Sequence, residues 1–472
     1  MEYIIDKHAN IQGTIVIYND IIYSCTLNQT DIKTNKNKFY IMQLIDINNG
    51  CKLFIRYGRV GEIGTILIDN YSKEAGIIKF ESQFKSKTGN KWNTEFIKRE
   101  GKYFLSEISY EIKKDEIARN IKVQPVCNLD ERLQNFLKLI SDKNMMNQML
   151  IQFDIDTNKM PLGKISSSQL EKAGDILKQI NNILISNANN IDEIEELSSL
   201  YYTYVPNSVG RKKLPIINNI EMISKYNEII EELQNMVVAV KVSENIDLNI
   251  DPLTSLYNEL NTEIIPIDKE SQIYKYISNS VSTTHGSTHY EKINILDIFS
   301  LGRQTEIENY LSFTKNMDNK YFLFHGTRLS NYCSILKKGL ILNPEILGVP
   351  IAGKMFGNGC YFANCITKSL GYTSYNSSFN IGAIFICEVA LGRQHKLIYS
   401  DHTLCEKKIK ELNYDSTHGI GIYTPNYIII DNIKIPVGPM IKSEKRYELM
   451  YDEFIVYNTN QFVLRYIILF KI

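Results

Sequence analysis

The chain has 472 residues, with 53 Lys+Arg against 53 Asp+Glu and a formal net charge of zero. That length exceeds one typical core and predicts two to four domains, while 44% hydrophobic and 22% charged residues exclude a disordered or fibrous chain. The eight cysteines are scattered without a C-x-x-C pair, which argues against a disulfide framework or zinc module and for a reducing compartment. The start, "MEYIIDKHAN", carries Glu2 and Asp6 and does not read as a signal peptide. No run of about 18 apolar residues is present, so a soluble intracellular protein without membrane contact is expected.

The first segment, to about residue 113, reads as strands and one helix. "FYIMQLIDI" (39–47) and "KLFIRYGRV" (52–60) are rich in β-branched and aromatic residues, and "NNG" between them is a turn signal. "SKEAGIIKFESQFKSKTG" opens with Ser72 as a cap, spaces its apolar residues as a helix does and stops at Gly89. "KYFLSEISYEI" (102–112) returns to strand alternation. Between Lys33 and Lys102 there are 14 Lys+Arg against 7 Asp+Glu, a local excess of +7. Such an excess marks either a phosphate-binding face or a solvated surface.

The second segment, about 125 to 245, has helical spacing. Leu133, Phe136, Leu137 and Ile140 fall at i, i+3, i+4 and i+7. Ser166 with Gln169 predicts a capping box before the stripe Leu170, Ala173, Leu177, Ile180 and Leu184. "PNSVGRKKLP" is a turn-rich connector, and a third long helix is expected from about Glu221 to Val242. From about Leu253 onward, strongly β segments such as "KYFLFHGT", "GAIFICEVALG" and "EFIVYNTNQFVLRYIILFKI" alternate with short helices, which predicts an α+β domain whose last strand lies inside its sheet.

Within this third segment, "GKMFGNGCYFANCITKSLGYTS" (353–374) resembles a phosphate cradle but fails the test for one. Gly357-x-Gly359 begins a dinucleotide fingerprint, yet Phe362 stands where the third glycine belongs, and no Walker loop can be drawn. A glycine-rich hairpin exposing Tyr361 remains open. Glu453 is also unusual, an acid inside the apolar run "EFIVY", where a carboxylate needs a partner or a function.

"FHGTR" (324–328), the glycine-rich stretch and "YDEFIVYN" (451–458) occur in an order that resembles the catalytic domain of the poly(ADP-ribose) polymerases, DNA-dependent branch. "PLGKISSSQL" and "LYYTYVPNSVGRKKLPIINN" resemble that branch's helical regulatory domain, and "RYGRVGEIG" followed by "KTGNKW" is similar to its WGR domain. The resemblance covers nearly the whole chain. It implies a multidomain α+β architecture: a small β-rich WGR domain (1–113), an all-α regulatory bundle (120–245) and an α+β ADP-ribosyltransferase domain (250–472). The implied function is DNA-break-activated ADP-ribosyl transfer from NAD+, used as substrate without a metal. The implied partners are DNA ends or nicks and acceptor proteins including the enzyme itself, in the nucleus. Poly(ADP-ribose) synthesis is the preferred reading, with a mono-ADP-ribosyltransferase or a weakly catalytic DNA-end-binding scaffold as alternatives.

The resemblance also assigns residues. His325, Tyr361 and Glu453 form the catalytic triad; His325 bonds the adenosine-side ribose, and Glu453 contacts the nicotinamide ribose and polarises the acceptor. Tyr361 and Tyr372 stack on the nicotinamide, Gly326 and Ser369 hold its carboxamide, and Thr327 and Asn331 line the adenosine side, with Lys368 a further lining residue. Tyr57 and Arg59 face DNA. Departures from the family pattern are Tyr57 for the WGR tryptophan, Ile341 for an arginine and Asn235 for an aspartate. Without zinc fingers or a separate automodification domain it looks like the short members of the branch, and it departs from some relatives in ending at "FKI" rather than in a Leu-Trp tail.

Overall fold

The computed structural model describes residues 2–3, 5–106, 111–112, 126–151, 153–155, 166–186, 190–244, 250–342, 355–378 and 380–472. These gather into two units, one formed by residues 1–123 with 147–237 and the other by residues 124–146 with 238–472. All of "PLGK" with Ile165, residues 107–110 of the strand expected over 102–112, and Gly353 and Lys354 of the glycine-rich stretch lie outside the described residues.

In the first unit, strands β1 (Ser24–Asp31), β2 (Lys36–Ile47), β3 (Gly50–Arg59) and β4 (Thr65–Tyr71) form an antiparallel meander. Ile47 pairs with Gly50 across the two-residue turn that "NNG" signalled. The short strand β5 (Phe104–Leu105) completes the order β4-β3-β2-β1-β5, and Glu111–Ile112 is also a strand. Helix α1 (Lys73–Thr88) starts where Ser72 accepts the Ala75 N–H and ends at Gly89, whose φ of 75° is the left-handed stop glycine allows. Its Phe80 and Phe84 pack on Tyr40, Met42, Leu44 and Leu53 of the sheet.

Helices α2 (Ser167–Ile185), α3 (Ile191–Tyr204) and α4 (Ile220–Glu244) follow the expected apolar spacing. Leu170, Ala173, Leu177 and Ile180 are buried, whereas Leu184 near the helix end is half-buried. The capping box forms by half. Ser166 accepts the Gln169 N–H, but the Gln169 amide turns away to donate to the Tyr204 carbonyl at 3.1 Å. Gln169 is fully buried, so it bonds an otherwise enclosed carbonyl rather than the helix start.

The second unit carries two sheets. Strands β6 (Glu263–Pro266), β7 (Asn294–Gly302), β8 (Lys320–Gly326), β9 (Cys360–Phe362), β10 (Ile381–Ala390), β11 (Gln394–Leu397), β12 (Ser416–Gly419), β13 (Gly421–Ile430), β14 (Ile433–Lys442), β15 (Leu449–Tyr451), β16 (Glu453–Val456) and β17 (Phe462–Lys471) follow in chain order. The larger sheet runs β6-β7-β17-β10-β8-β14-β13-β15 and the smaller β9-β16-β12-β11. The final strand β17 lies between β7 and β10, inside the sheet as its apolar sequence predicts. Ile298, Phe324, Ile384, Ile386, Ile468 and Phe470 pack with Ile277 and Val281 of the helix Gln272–Thr283. Tyr332, at the start of the helix Tyr332–Lys338, stacks on Phe385 of β10 with ring centroids 4.5 Å apart.

One buried ion pair anchors the first unit. Arg56 donates from Nε at 3.0 Å and Nη2 at 2.7 Å to Asp6 Oδ2, and from Nη1 to the Ile63 carbonyl at 2.8 Å. The two side chains are 5% and 8% exposed. Asp6→Ala leaves the guanidinium buried without its counter-charge, a change that costs about 3–5 kcal/mol. The expected result is a clearly lowered melting midpoint and faster proteolysis within residues 1–123, read by thermal denaturation and limited digestion.

Candidate active site

Strand β8 pairs with β10 along its whole length but with β14 only at Lys320 and Tyr321. Its edge is therefore open towards the C-terminal end. Phe324 fills the opening with two backbone bonds to Ala363, 2.8 and 2.9 Å long, just after β9. This bridge fastens the smaller sheet to the larger one at the residue before His325. In the smaller sheet, Tyr361 is opposite Ile455, and Glu453 lies two residues further along the same strand. Side chains alternate along strands, so Tyr361, Ile455 and Glu453 share one face.

His325 is half-buried, with Nδ1 2.9 Å from the Tyr361 carbonyl. A carbonyl only accepts, so Nδ1 carries the proton and Nε2 keeps its lone pair. Burial lowers the His325 pKa below the ordinary imidazole value, with the Tyr361 carbonyl opposing. The ring is accordingly neutral near pH 7. At Gly326 a Cβ would lie 1.8 Å from the Ser369 carbonyl oxygen, so no other residue fits against that turn. Ser369 is 3% exposed and donates its hydroxyl to the Phe324 carbonyl at 3.2 Å, which leaves its oxygen free to accept.

The glycine-rich stretch is strand β9 followed by helix α5 (Ile366–Leu370), not a hairpin. Tyr361 is half-buried rather than exposed. Its hydroxyl donates to the Gly357 carbonyl at 2.7 Å and accepts the Phe356 N–H at 3.0 Å, which holds the ring in place. Burial first, against the pull of the Phe356 N–H, raises its pKa far beyond the ordinary phenol range. Tyr372 is 58% exposed, and partial enclosure and then the Glu453 charge raise its pKa. Just beyond β8, the Asn331 amide donates to Thr327 Oγ1 at 2.9 Å. Ile341 is exposed.

Glu453 is 6% exposed, and its Oε1 lies 2.8 Å from Lys368 Nζ. Lys368 also donates to the Tyr451 carbonyl at 2.9 Å. Burial lowers the Lys368 pKa, while the Glu453 carboxylate works against that shift. Glu453 Oε2 is buried and has no hydrogen-bond partner among the described residues. The sequence reading gave Lys368 a lining role and missed this pairing. The signal was available, because "ITKSL" places a lysine among residues that are otherwise buried, as "EFIVY" does an acid.

In the first unit, Tyr57 is 36% exposed and its ring stacks on Tyr40, with centroids 5.7 Å apart. Lys87 Nζ sits 4.9 Å over the Tyr40 ring. Arg59 is engaged by the chain itself. It donates to the carbonyls of Gly210, Lys212 and Asn35 and to Asn35 Oδ1.

Residues 271–472 match the poly(ADP-ribose) polymerase catalytic domain, 127–257 the poly(ADP-ribose) polymerase regulatory domain, and 23–98 the WGR domain. The chain is therefore an NAD+ ADP-ribosyltransferase with two further modules. It is 33% identical to poly [ADP-ribose] polymerase 2-A of Oryza sativa subsp. japonica, over 97% of this chain and 71% of that protein. It is also 33% identical to poly [ADP-ribose] polymerase 2 of Arabidopsis thaliana, over 96% and 73%. For poly [ADP-ribose] polymerase 1 of Gallus gallus the identity is 32%, over 95% of this chain and 45% of that one. The chain belongs to the poly(ADP-ribose) polymerase family. Among the described residues no group of acids, histidines and cysteines is arranged to hold a metal ion, and no helix is long and apolar enough to cross a membrane.

His325 gives the site a pH dependence of known sign. Its folded pKa lies below the ordinary value of 6.5, so the unfolded chain takes up the proton first. The stability tied to neutral His325 is fully present above that value and is lost as pH falls below it. Melting midpoints measured from pH 8 down to about 5 should decline less in His325→Gln than in the wild type, because the variant has no ring to protonate.

Proposed function

We propose that this chain is a DNA-break-activated poly(ADP-ribose) polymerase of the nucleus, which modifies acceptor proteins and itself. The observation that carries the catalytic reading is Glu453 Oε2, a buried carboxylate oxygen without a partner on the face shared with Tyr361, while its twin oxygen is held by Lys368. Transfer breaks the bond between nicotinamide and the ribose anomeric carbon through an oxocarbenium-like state. A fixed carboxylate stabilises the developing positive charge and draws the proton of an incoming hydroxyl. Nicotinamide leaves, and the acceptor oxygen takes its place on the anomeric carbon.

The remaining residues bind the substrate NAD+. Tyr361 and Tyr372 offer ring faces to the nicotinamide. Gly326 leaves its backbone open to the carboxamide, and the free lone pairs of Ser369 accept from it. The His325 Nε2 accepts from a hydroxyl of the adenosine-side ribose. Thr327 and Asn331 line that side.

The local excess of +7 and the half-open Tyr57 ring support DNA recognition through phosphates and end-stacking, independent of sequence. Arg59 reaches a DNA end by releasing the carbonyls of Gly210 and Lys212. DNA binding thereby competes with a contact of the resting protein and raises the population of an NAD+-competent form.

The test is incubation with labelled NAD+, with and without nicked or blunt DNA, followed by gel analysis. A DNA-dependent ladder is expected; a single sharp band would identify a mono-ADP-ribosyltransferase, and no label would defeat the catalytic reading. Tyr57→Ala should weaken DNA binding about 5–150-fold, from loss of about 1–3 kcal/mol of stacking, while leaving DNA-independent NAD+ turnover intact. Binding titrations at physiological salt check this. Glu453→Gln should lower polymer synthesis by about 10²–10³-fold while slow nicotinamide release persists. Nicotinamide release measured beside labelled product separates the two activities.

A further inference from the structure

Glu453 owes little of its placement to its own side chain, which has the single partner Lys368 on Oε1 and none on Oε2. Its position is set by the strand that carries it, and the residue before it is tied far more firmly. Asp452 is 2% exposed. Its Oδ1 accepts the Gly421 N–H at 2.8 Å, its Oδ2 accepts the Asn364 amide at 2.8 Å, and His418 Nε2 lies 3.2 Å from Oδ1. These groups come from the start of β13, the turn following β9 and strand β12. The carboxylate therefore joins three segments at the root of the catalytic strand.

Each partner is itself fixed. Asn364 is fully buried, and its amide also reaches the Tyr427 hydroxyl at 2.7 Å. Gly421 packs so closely on the Tyr451–Asp452 peptide that a Cβ there would lie 2.3 Å from the Tyr451 carbonyl carbon. The His418 ring lies over Phe454 at 4.5 Å and an interplanar angle of 21°, and Phe454 follows Glu453 directly. Lys368 Nζ, already on Glu453, is 3.5 Å from the Asp452 carbonyl. Burial raises the Asp452 pKa, but His418, then Thr424 and Gly421, outweigh it, so the net shift is downward and the group stays ionised. Such a carboxylate is costly to enclose, and its bonds tie the strand that begins at Glu453 to the turn after the Tyr361 strand and to the start of β13.

We propose that Asp452, tied to Asn364 and Gly421 with the His418 ring 3.2 Å away, is a positioning residue that fixes Glu453 against the Tyr361 strand. The pair touches no substrate and acts through the Glu453 carboxylate, so the inference rests on the catalytic reading of that residue. Loss of the Asp452 carboxylate frees the Asn364 tie and the Gly421 tie together, and the Glu453 carboxylate loses its aim.

The test uses the full chain at saturating DNA, with circular dichroism and melting midpoints to establish that each variant folds. Asp452→Ala is expected to lower kcat for transfer by about 10–100-fold, with KM for NAD+ within about twofold of wild type. Asp452→Asn keeps the acceptor for Gly421 and should recover at least part of that loss, and His418→Gln should lower kcat by a smaller factor. In a Glu453→Gln background, Asp452→Ala should change the residual nicotinamide release little, because the group it acts through is gone. A wild-type kcat in Asp452→Ala overturns the proposal, as does an equal fold-loss in both backgrounds. Should the alanine variant fail to fold, a wild-type kcat in both Asp452→Asn and His418→Gln overturns it. Full polymer synthesis by Glu453→Gln alone would instead defeat the catalytic reading and the positioning role with it.

Discussion

Two backbone hydrogen bonds between Phe324 and Ala363 are the constraint on which the catalytic unit depends. They exist because β14 leaves β8 after two residues, which frees the far end of an interior strand. An open strand edge inside a protein must be paired, and the smaller sheet supplies the pairing. The consequence is geometric. His325 follows one partner of the bridge, Tyr361 precedes the other by two residues, and Glu453 arrives through the pairing of β9 with β16. The three side chains come from positions up to 128 residues apart, yet one short junction sets their spacing.

The charges near this junction are arranged with similar economy. His325 stays neutral, Tyr361 stays a phenol, and Lys368 offsets Glu453 within an apolar setting. On the proposed mechanism, a reacting centre that becomes positive meets a preorganised acceptor rather than mobile solvent. Besides Asp452, the same unit contains a further enclosed carboxylate, Glu388, which is fully occupied by Arg465 and the Tyr310 hydroxyl. The contrast between the two acids is informative. Both sit in buried strands, but Glu388 has its oxygens satisfied within the fold, while Glu453 keeps one oxygen open.

Much of this was readable in the sequence where the cause is local. Ser72 and Gly89 mark the ends of α1 because capping and left-handed φ are properties of single residues and their neighbours. The turn between β2 and β3, the buried stripe of α2 and the interior apolar strand β17 follow from periodicity and composition. What stayed hidden depends on partners far along the chain. Gln169 satisfies the local capping pattern, yet its side chain is claimed by Tyr204. Lys368 and Glu453 are each odd in their own segment, but only the meeting of α5 with β16 shows that they answer each other. The resemblance places Arg59 facing DNA, and two of the carbonyls that occupy it come from a turn about 150 residues later. Tyr361 sits beside glycines, which suggested exposure; the neighbouring backbone groups hold its hydroxyl instead.

The place of β17 has a consequence for how the molecule is made. It lies between β7 and β10, although it follows both in the sequence. During synthesis from the N-terminal end, those two strands emerge with their facing edges bare and cannot pair with each other across the gap reserved for a later segment. The large sheet stays in two parts until Phe462–Lys471 arrives, so nascent chains carry sticky apolar edges for the time that the intervening residues take to be translated. A message cut short before this segment yields a product without the keystone strand of its sheet.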